Sequence, residues 1–252
     1  TWRNYISETG VKIETKPENN QFNFQGQLKY GYILKKSQNQ DSDWDKIGEF
    51  SRTFSTVKGN VLDVSGAIGF SRNLANTIVT YYVGIDHTKY RMSNYGLYYM
   101  IYRDEDTHIN LLDFARHYHC PSSKLVATYK FNNSNPWIGA SINYSWHDKF
   151  TIIPIVKIFL LYLSGEGDWL LRTDFAHPSF KDKAFGIGAS FDTELSYKYS
   201  NNLDFRVNVG IKKLAMIKGI RVTFTSKSAV GHDLKKLSFL SSSVSVGIKY
   251  HF

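Results

Sequence analysis

A period of two in hydrophobicity constrains this chain more than any other feature. Read back from the C-terminus, Phe252, Tyr250, Ile248, Val246 and Val244 are apolar or aromatic, while His251, Lys249, Gly247, Ser245 and Ser243 between them are small or polar. Successive side chains of a strand point to opposite faces, so this segment is a strand with one greasy and one wet face. One such strand would suit a soluble sandwich equally well, and recurrence decides the matter. Phe22, Phe24, Leu28, Tyr30 and Tyr32 alternate with Asn23, Gln25, Gln27 and Lys29; Val79, Tyr81, Val83 and Ile85 with Thr80, Tyr82, Gly84 and Asp86. The pattern returns from Ile138 to Trp146, from Phe185 to Tyr197 and from Phe205 to Ile211. Thr56 to Phe70 and Phe150 to Leu163 read as further strands, and Thr1 to Val11 as a weak one.

The connections alternate between short and long. Turns at Pro17, Asn73, Asp148 and Asn201 are tight, whereas about Lys35 to Thr53, Tyr90 to Ser123, Ser164 to Asp182 and Met216 to Leu237 are long and polar. Short turns at one end and long loops at the other are the plan of an up-and-down membrane barrel, and aromatic residues at strand ends suit its girdles. The expectation is an all-β, antiparallel transmembrane β-barrel, residues 1–252 forming one domain. Aromatic residues make up 15% of the 252, and mean hydropathy is −0.33. A barrel with a polar lumen can be polar on average. The longest apolar stretch, Phe150 to Leu163, holds Pro154 and is too short for a spanning helix. About nine strands are visible. Single-chain bacterial barrels have an even number, so a tenth is expected.

The net charge of +9 is scattered and carries no nucleic-acid motif, which points to lipid phosphates rather than nucleic acid as the anionic partner. Cys120 is the one cysteine, so there is no disulfide framework. His117, Tyr118 and His119 are potential metal ligands, but no partner stands at ligand spacing, and no metal is expected. Thr1 opens the sequence without a charged or apolar leader, so a signal peptide is expected to be already removed, or the true N-terminus to lie upstream.

Asp41-Ser42-Asp43-Trp44-Asp45 carries the most chemistry. Carboxylates at alternate positions of an extended segment point the same way and raise one another's pKa, which suits a general base or cation site; the alternative is a solvated acidic loop. Asp41-Ser42-Asp43-Trp44 resembles the Asp-x-Asp-Trp segment of the omptins, ten-stranded outer-membrane endopeptidases. Gly84 to Tyr90, Tyr129-Lys130 followed by Pro136-Trp137-Ile138-Gly139, and the closing Gly247 to Phe252 are similar to omptin segments in the same order. The resemblance implies the outer membrane of a Gram-negative bacterium, polypeptide substrates cut next to basic residues, and no cofactor beyond a requirement for lipopolysaccharide. It further implies a cleft with the Asp41/Asp43 pair on one side and an Asp-His pair on the other, a water between them attacking the peptide carbonyl.

The family's Asp-x-His has two registers here. The ungapped one puts Asp168 on the aspartate and Leu170 on the histidine, and leucine cannot take a proton. The gapped one uses Asp174 and His177 with one residue too many between them; a dyad is judged by geometry rather than spacing. Of the lipopolysaccharide contacts, the basic position survives as Lys89, and a second falls near Asn132. The reading is therefore an omptin-like surface endopeptidase, with a catalytically silent barrel, an adhesin or structural surface protein, as the alternative. A pore fits less well, because the lumen-facing residues are bulky and mixed in charge. The resemblance also places Thr1 near the family's second strand. The first strand is then absent, and Thr1 to Val11 and Ser238 to Phe252 should be neighbouring edges with no strand between them.

Overall fold

The computed structural model describes residues 1–15, 21–44, 46, 48–74, 77–102, 119–147, 149–234 and 237–250. They form one antiparallel sheet of twelve strand segments: β1 (Trp2–Arg3), β2 (Ile6–Glu14), β3 (Phe22–Ile33), β4 (Gln38–Trp44), β5 (Glu49–Leu74), β6 (Thr77–Tyr102), β7 (Cys120–His147), β8 (Phe150–Trp169), β9 (Phe175–Lys198), β10 (Leu203–Thr225), β11 (Ala229–Asp233) and β12 (Ser238–Tyr250). β3 and β4 both pair with β5, β1 and β2 lie along β4 and β3, and β11 and β12 both pair with β10. The segments therefore merge into nine continuous staves among the described residues, each hydrogen-bonded to its neighbour in chain order.

Register puts all the tight connections at one end. Phe22 pairs with Phe70, Leu74 with Thr77, Phe150 with Tyr197 and Leu203 with Tyr250. The connections after Trp44, Tyr102, Trp169 and Thr225 lie at the other. The turns at Pro17 and Asp148 fall outside the described residues.

The alternation in sequence becomes an alternation of faces. On β10, Phe205, Val207, Val209 and Ile211 stand exposed on the outside. Between them, Arg206 reaches inward to Glu14 at 2.8 Å and Glu194 at 2.9 Å, and Lys212 crosses the lumen to Asp86 at 3.1 Å. Phe150 to Leu163 lacked alternation because both its faces are apolar: Val156, Ile158, Leu160 and Tyr162 point out, while Phe159, Leu161 and Leu163 are buried in the lumen with Trp137, Ala184 and Leu214. A second lumen cluster nearer the loop end holds Val57, Val61, Met92, Ala127, Tyr129 and Phe180. Side chains thus fill the interior, as in small barrels. Gly84 makes room for this packing, since a Cβ there would come within 2.6 Å of the Trp137 ring, whose Nε1–H donates to Asp86 at 2.8 Å.

The long connections turn out shorter than the sequence suggests, because the strands run on past the apolar band. β5 begins at Glu49, β6 continues to Tyr102, β8 to Trp169 and β10 to Thr225. On β8 the outward residues after Tyr162 are Ser164, Glu166 and Asp168. Above the hydrocarbon both faces are wet, so the hydrogen-bonded ladder continues while the hydrophobic alternation ends. A bulge at Gly96, with φ +68°, a conformation suited to glycine, breaks the register of β6 in this upper ribbon.

The first and last staves are edges. Among the described residues β2 pairs with β3 alone and β12 with β10 alone, and no strand lies between β2 and β12. They are tied at the turn end by a side-chain bond from Lys249 Nζ to Glu14 Oε1 of 2.8 Å.

Candidate functional site

Asp41 and Asp43 belong to β4, whose register fixes where they point. Asn39, Asp41 and Asp43 pair with Ser55, Thr53 and Ser51 of β5, on the face of the buried Val57 and Val61, so the two carboxylates line the inside of the barrel mouth. Ser42 and Gln40 take the outer face and bond each other at 3.0 Å. Asp45 lies outside the described residues. The charge of Asp41 acts on Arg221 and Tyr129, and that of Asp43 on Arg172 and Tyr99. Arg221 holds Asp182 through two bonds of 2.8 Å and lies 4.1 Å from the Phe180 ring centre. Trp169 Nε1–H donates to the Tyr129 hydroxyl at 3.1 Å. The mouth is therefore built from aspartates, arginines and aromatic rings.

Across the mouth, the connection from β8 to β9 brings together different partners from those of the gapped register. Asp174 accepts two bonds from Arg172, at 2.8 and 2.6 Å, and Arg172 lies 4.6 Å from the Phe175 ring centre. The Arg172 bond holds the Asp174 carboxyl below its ordinary range. The same bond raises the guanidinium, with a further contribution from Asp43. His177 instead bonds Asp168, Nδ1 to Oδ1 at 2.6 Å, and Ser179 Oγ donates to the same carboxylate oxygen at 3.2 Å. Ser179 in turn accepts the Trp169 backbone N–H at 2.9 Å. One member of each sequence register has found the other. Leu170 is held by a backbone bond to Val126 and is partly exposed.

The Asp168–His177 pair stands on the outer wall. Tyr129 pairs with Gly167 and Ala127 with Trp169, and these face the buried lumen cluster. Thr128 and Asp168, one position between, therefore point outward, as do Lys130 and Glu166, ion-paired at 2.7 Å. On β9, Phe180 pairs with Thr223 and Phe175 with Thr225, so residues 176–179 bulge opposite Phe224 alone. That bulge carries His177 over the wall, where Thr128, Lys130, Glu166, Asp168 and His177 line an open pocket of about 230 Å³.

Lys89 also faces outward. It pairs with Leu62 and Asn132, just above Ile85, at the level where the apolar band gives way to polar residues. His119 Nε2 accepts the Tyr99 N–H at 3.2 Å and stacks on that ring; His117 and Tyr118 fall outside the described residues. Cys120 is a half-buried free thiol. Sequence reasoning missed Arg172, Arg221 and Ser179. None belongs to a motif, and only the register brings them to the mouth or the wall.

Fold and lumen together define an outer-membrane β-barrel of the omptin shape. The crystal structure of outer membrane protease OmpT from Escherichia coli superposes with a TM-score of 0.72 over 92% of this chain and 79% of that chain, at 14% sequence identity. The family described as "Pom: Protochlamydia outer membrane protein" matches residues 2–252, and the chain belongs to it. No curated protein matches the sequence.

Proposed function

We propose that this barrel is a catalytically silent outer-membrane surface protein, structural or adhesive, rather than a peptidase. One observation carries the reading: Asp41 and Asp43 line the inside of the mouth, while His177 is held by Asp168 on the outside of the wall. A water attacking a peptide carbonyl needs a group within hydrogen-bond reach that can accept its proton. A guanidinium has no acceptor and stays charged. Arg172 and Arg221 thus supply countercharge to the mouth and cannot themselves act as the base, which leaves the carboxylates without the imidazole partner that the omptin resemblance implies. Lipid phosphates remain the anionic partner of this reading, with Lys89 above the apolar band as one contact.

Endopeptidase activity is the second reading. The 2.6 Å bond between Asp168 and His177 favours it, since a carboxylate orienting an imidazole is the arrangement a base needs. Incubating peptides with arginine at the scissile bond with the refolded protein, lipopolysaccharide supplied, separates the two. The silent barrel gives no cleavage above empty vesicles. Cleavage by the parent that is lost in both Asp43→Asn and His177→Ala would establish the peptidase.

A further inference from the structure

The pocket on the outer wall holds charges of both signs, and we infer that it binds a phospholipid headgroup with a primary ammonium beside its phosphate, the phosphoethanolamine class. Such a site adds to the lipid contact at Lys89 in the surface-protein reading. It depends on the wall alone, whether or not the mouth cuts peptides. On the outer face of β8 the last apolar residue is Tyr162, followed by Ser164, Glu166 and Asp168. Glu166 stands four residues beyond Tyr162, about 13 Å along the strand and about 10 Å higher at a tilt of about 40°. The polar interface reaches about 5–8 Å beyond the hydrocarbon on each side, and the stem of Lys130 can lower its ammonium toward it. The pocket therefore opens at the outer margin of the headgroup layer, where the terminal amine of a lipid lies.

The open hydrogen-bonding groups select the ligand. Asp168 takes His177 Nδ1 at 2.6 Å and Ser179 Oγ at 3.2 Å on Oδ1 alone, so Oδ2 is open among the described residues. Ser179 is fully buried and bonded to the Trp169 N–H at 2.9 Å, which fixes that carboxylate in place. A carboxylate only accepts, so Nδ1 carries the proton, and Nε2 of the neutral imidazole is a further acceptor. Glu166 meets Lys130 through Oε1 at 2.7 Å and has Oε2 to spare. Together these acceptors match the three N–H bonds of a primary ammonium; a quaternary ammonium has none. Lys130 has three donors and gives one to Glu166. With the Thr128 hydroxyl, which lines the same pocket, it suits phosphate oxygens. Lys181, opposite Glu166 on β9, turns instead to the Phe224 ring at 5.8 Å. The vertical order fits a lipid entering from below. Lys130 lies lower, and Asp168, its diagonal neighbour about 7–8 Å away, lies higher. A plain anion meets repulsion from Glu166 and Asp168, and a plain cation from Lys130. A ligand with both charges a few bonds apart meets neither.

The test titrates the chain, refolded in maltoside micelles, with dihexanoyl phosphatidylethanolamine, and follows the imidazole ¹⁵N shifts of His177. The matching phosphatidylcholine and phosphatidylglycerol, and free O-phosphoethanolamine, are titrated in parallel. The site predicts a saturable shift with phosphatidylethanolamine, at an affinity about tenfold or more above that of the other three. Glu166→Gln, which lies outside the bulge carrying His177, should weaken binding by about tenfold through the lost charged acceptor. Lys89→Ala should leave binding unchanged. Phosphatidylcholine binding as well would show that the N–H bonds are not read, and phosphatidylglycerol binding as well that phosphate alone is. Free O-phosphoethanolamine binding as tightly as the lipid would make the ligand a soluble one. Each of these results overturns the inference, as do the absence of a saturable shift, a Glu166→Gln variant that binds like the parent, or a loss in Lys89→Ala. Peptide cleavage is measured on the same sample, so the headgroup site and the silent barrel fail separately.

Discussion

Basic residues decide the chemistry at three places in this barrel, and the effect of each depends on what surrounds it. Arg172 is more than half exposed, as is its partner Asp174, so their bond shifts titration more than stability. A carboxyl whose pKa is lowered on folding stabilises the fold above its ordinary pKa and loses that contribution as pH falls through the lowered value. In an NMR titration Asp174 should titrate below the ordinary carboxylate range, and Arg172→Ala should return it there. Arg206 lies nearly buried between the equally sheltered Glu14 and Glu194. Lys12 and Lys249 also hold Glu14, and Lys12 also reaches Glu194 at 3.7 Å, so Arg206→Ala removes one countercharge of several and should cost about 1.5–3 kcal/mol in reversible unfolding. Lys130→Ala, which opens an exposed pair with Glu166, should cost less than about 1 kcal/mol. Equal costs for the two variants would show that the lumen is as wet as the outer surface.

At the scale of strands, facing governs tolerance. Val209 lies on the lipid side of β10, between Asn208 and Gly210. Val209→Arg should cost about 2–4 kcal/mol if the site lies near the bilayer midplane, and spin labels at 205, 207, 209 and 211 should all be quenched by a lipid-soluble reagent. Labels at 206, 208 and 212 should not. A label at Tyr98, in the ribbon above the apolar band, should report water. Most of this was legible in sequence: the strands, their order, both faces of β10 and the end at which the turns at Asn73 and Asn201 lie. Strand ends were not. Period-two hydrophobicity records contact with lipid, and it vanishes at Tyr162 although the β8 ladder continues to Trp169. The site was legible in part. Asp41 and Asp43 point the same way because strand spacing demands it. The pairing of Asp168 with His177 depends on a bulge at residues 176–179 that no local signal marks, and Arg172 approaches Asp43 only through folding.

For the molecule as a whole, the wall separates two groups that the omptin resemblance places together. Aspartates 41 and 43 line the mouth from within; His177 and Asp168 share a pocket outside. The nine staves of the described residues surround a lumen filled by Trp137, Phe159 and Leu161, so Trp137→Ala should destabilise the barrel by about 3–5 kcal/mol through the cavity it leaves. The separation itself is tested most directly by the imidazole ¹⁵N chemical shifts of His177, which respond to its hydrogen-bond partner. They should move in Asp168→Asn and stay unchanged in Asp43→Asn. A shift in Asp43→Asn as large as that in Asp168→Asn would place the histidine in the acidic cleft and contradict the silent barrel.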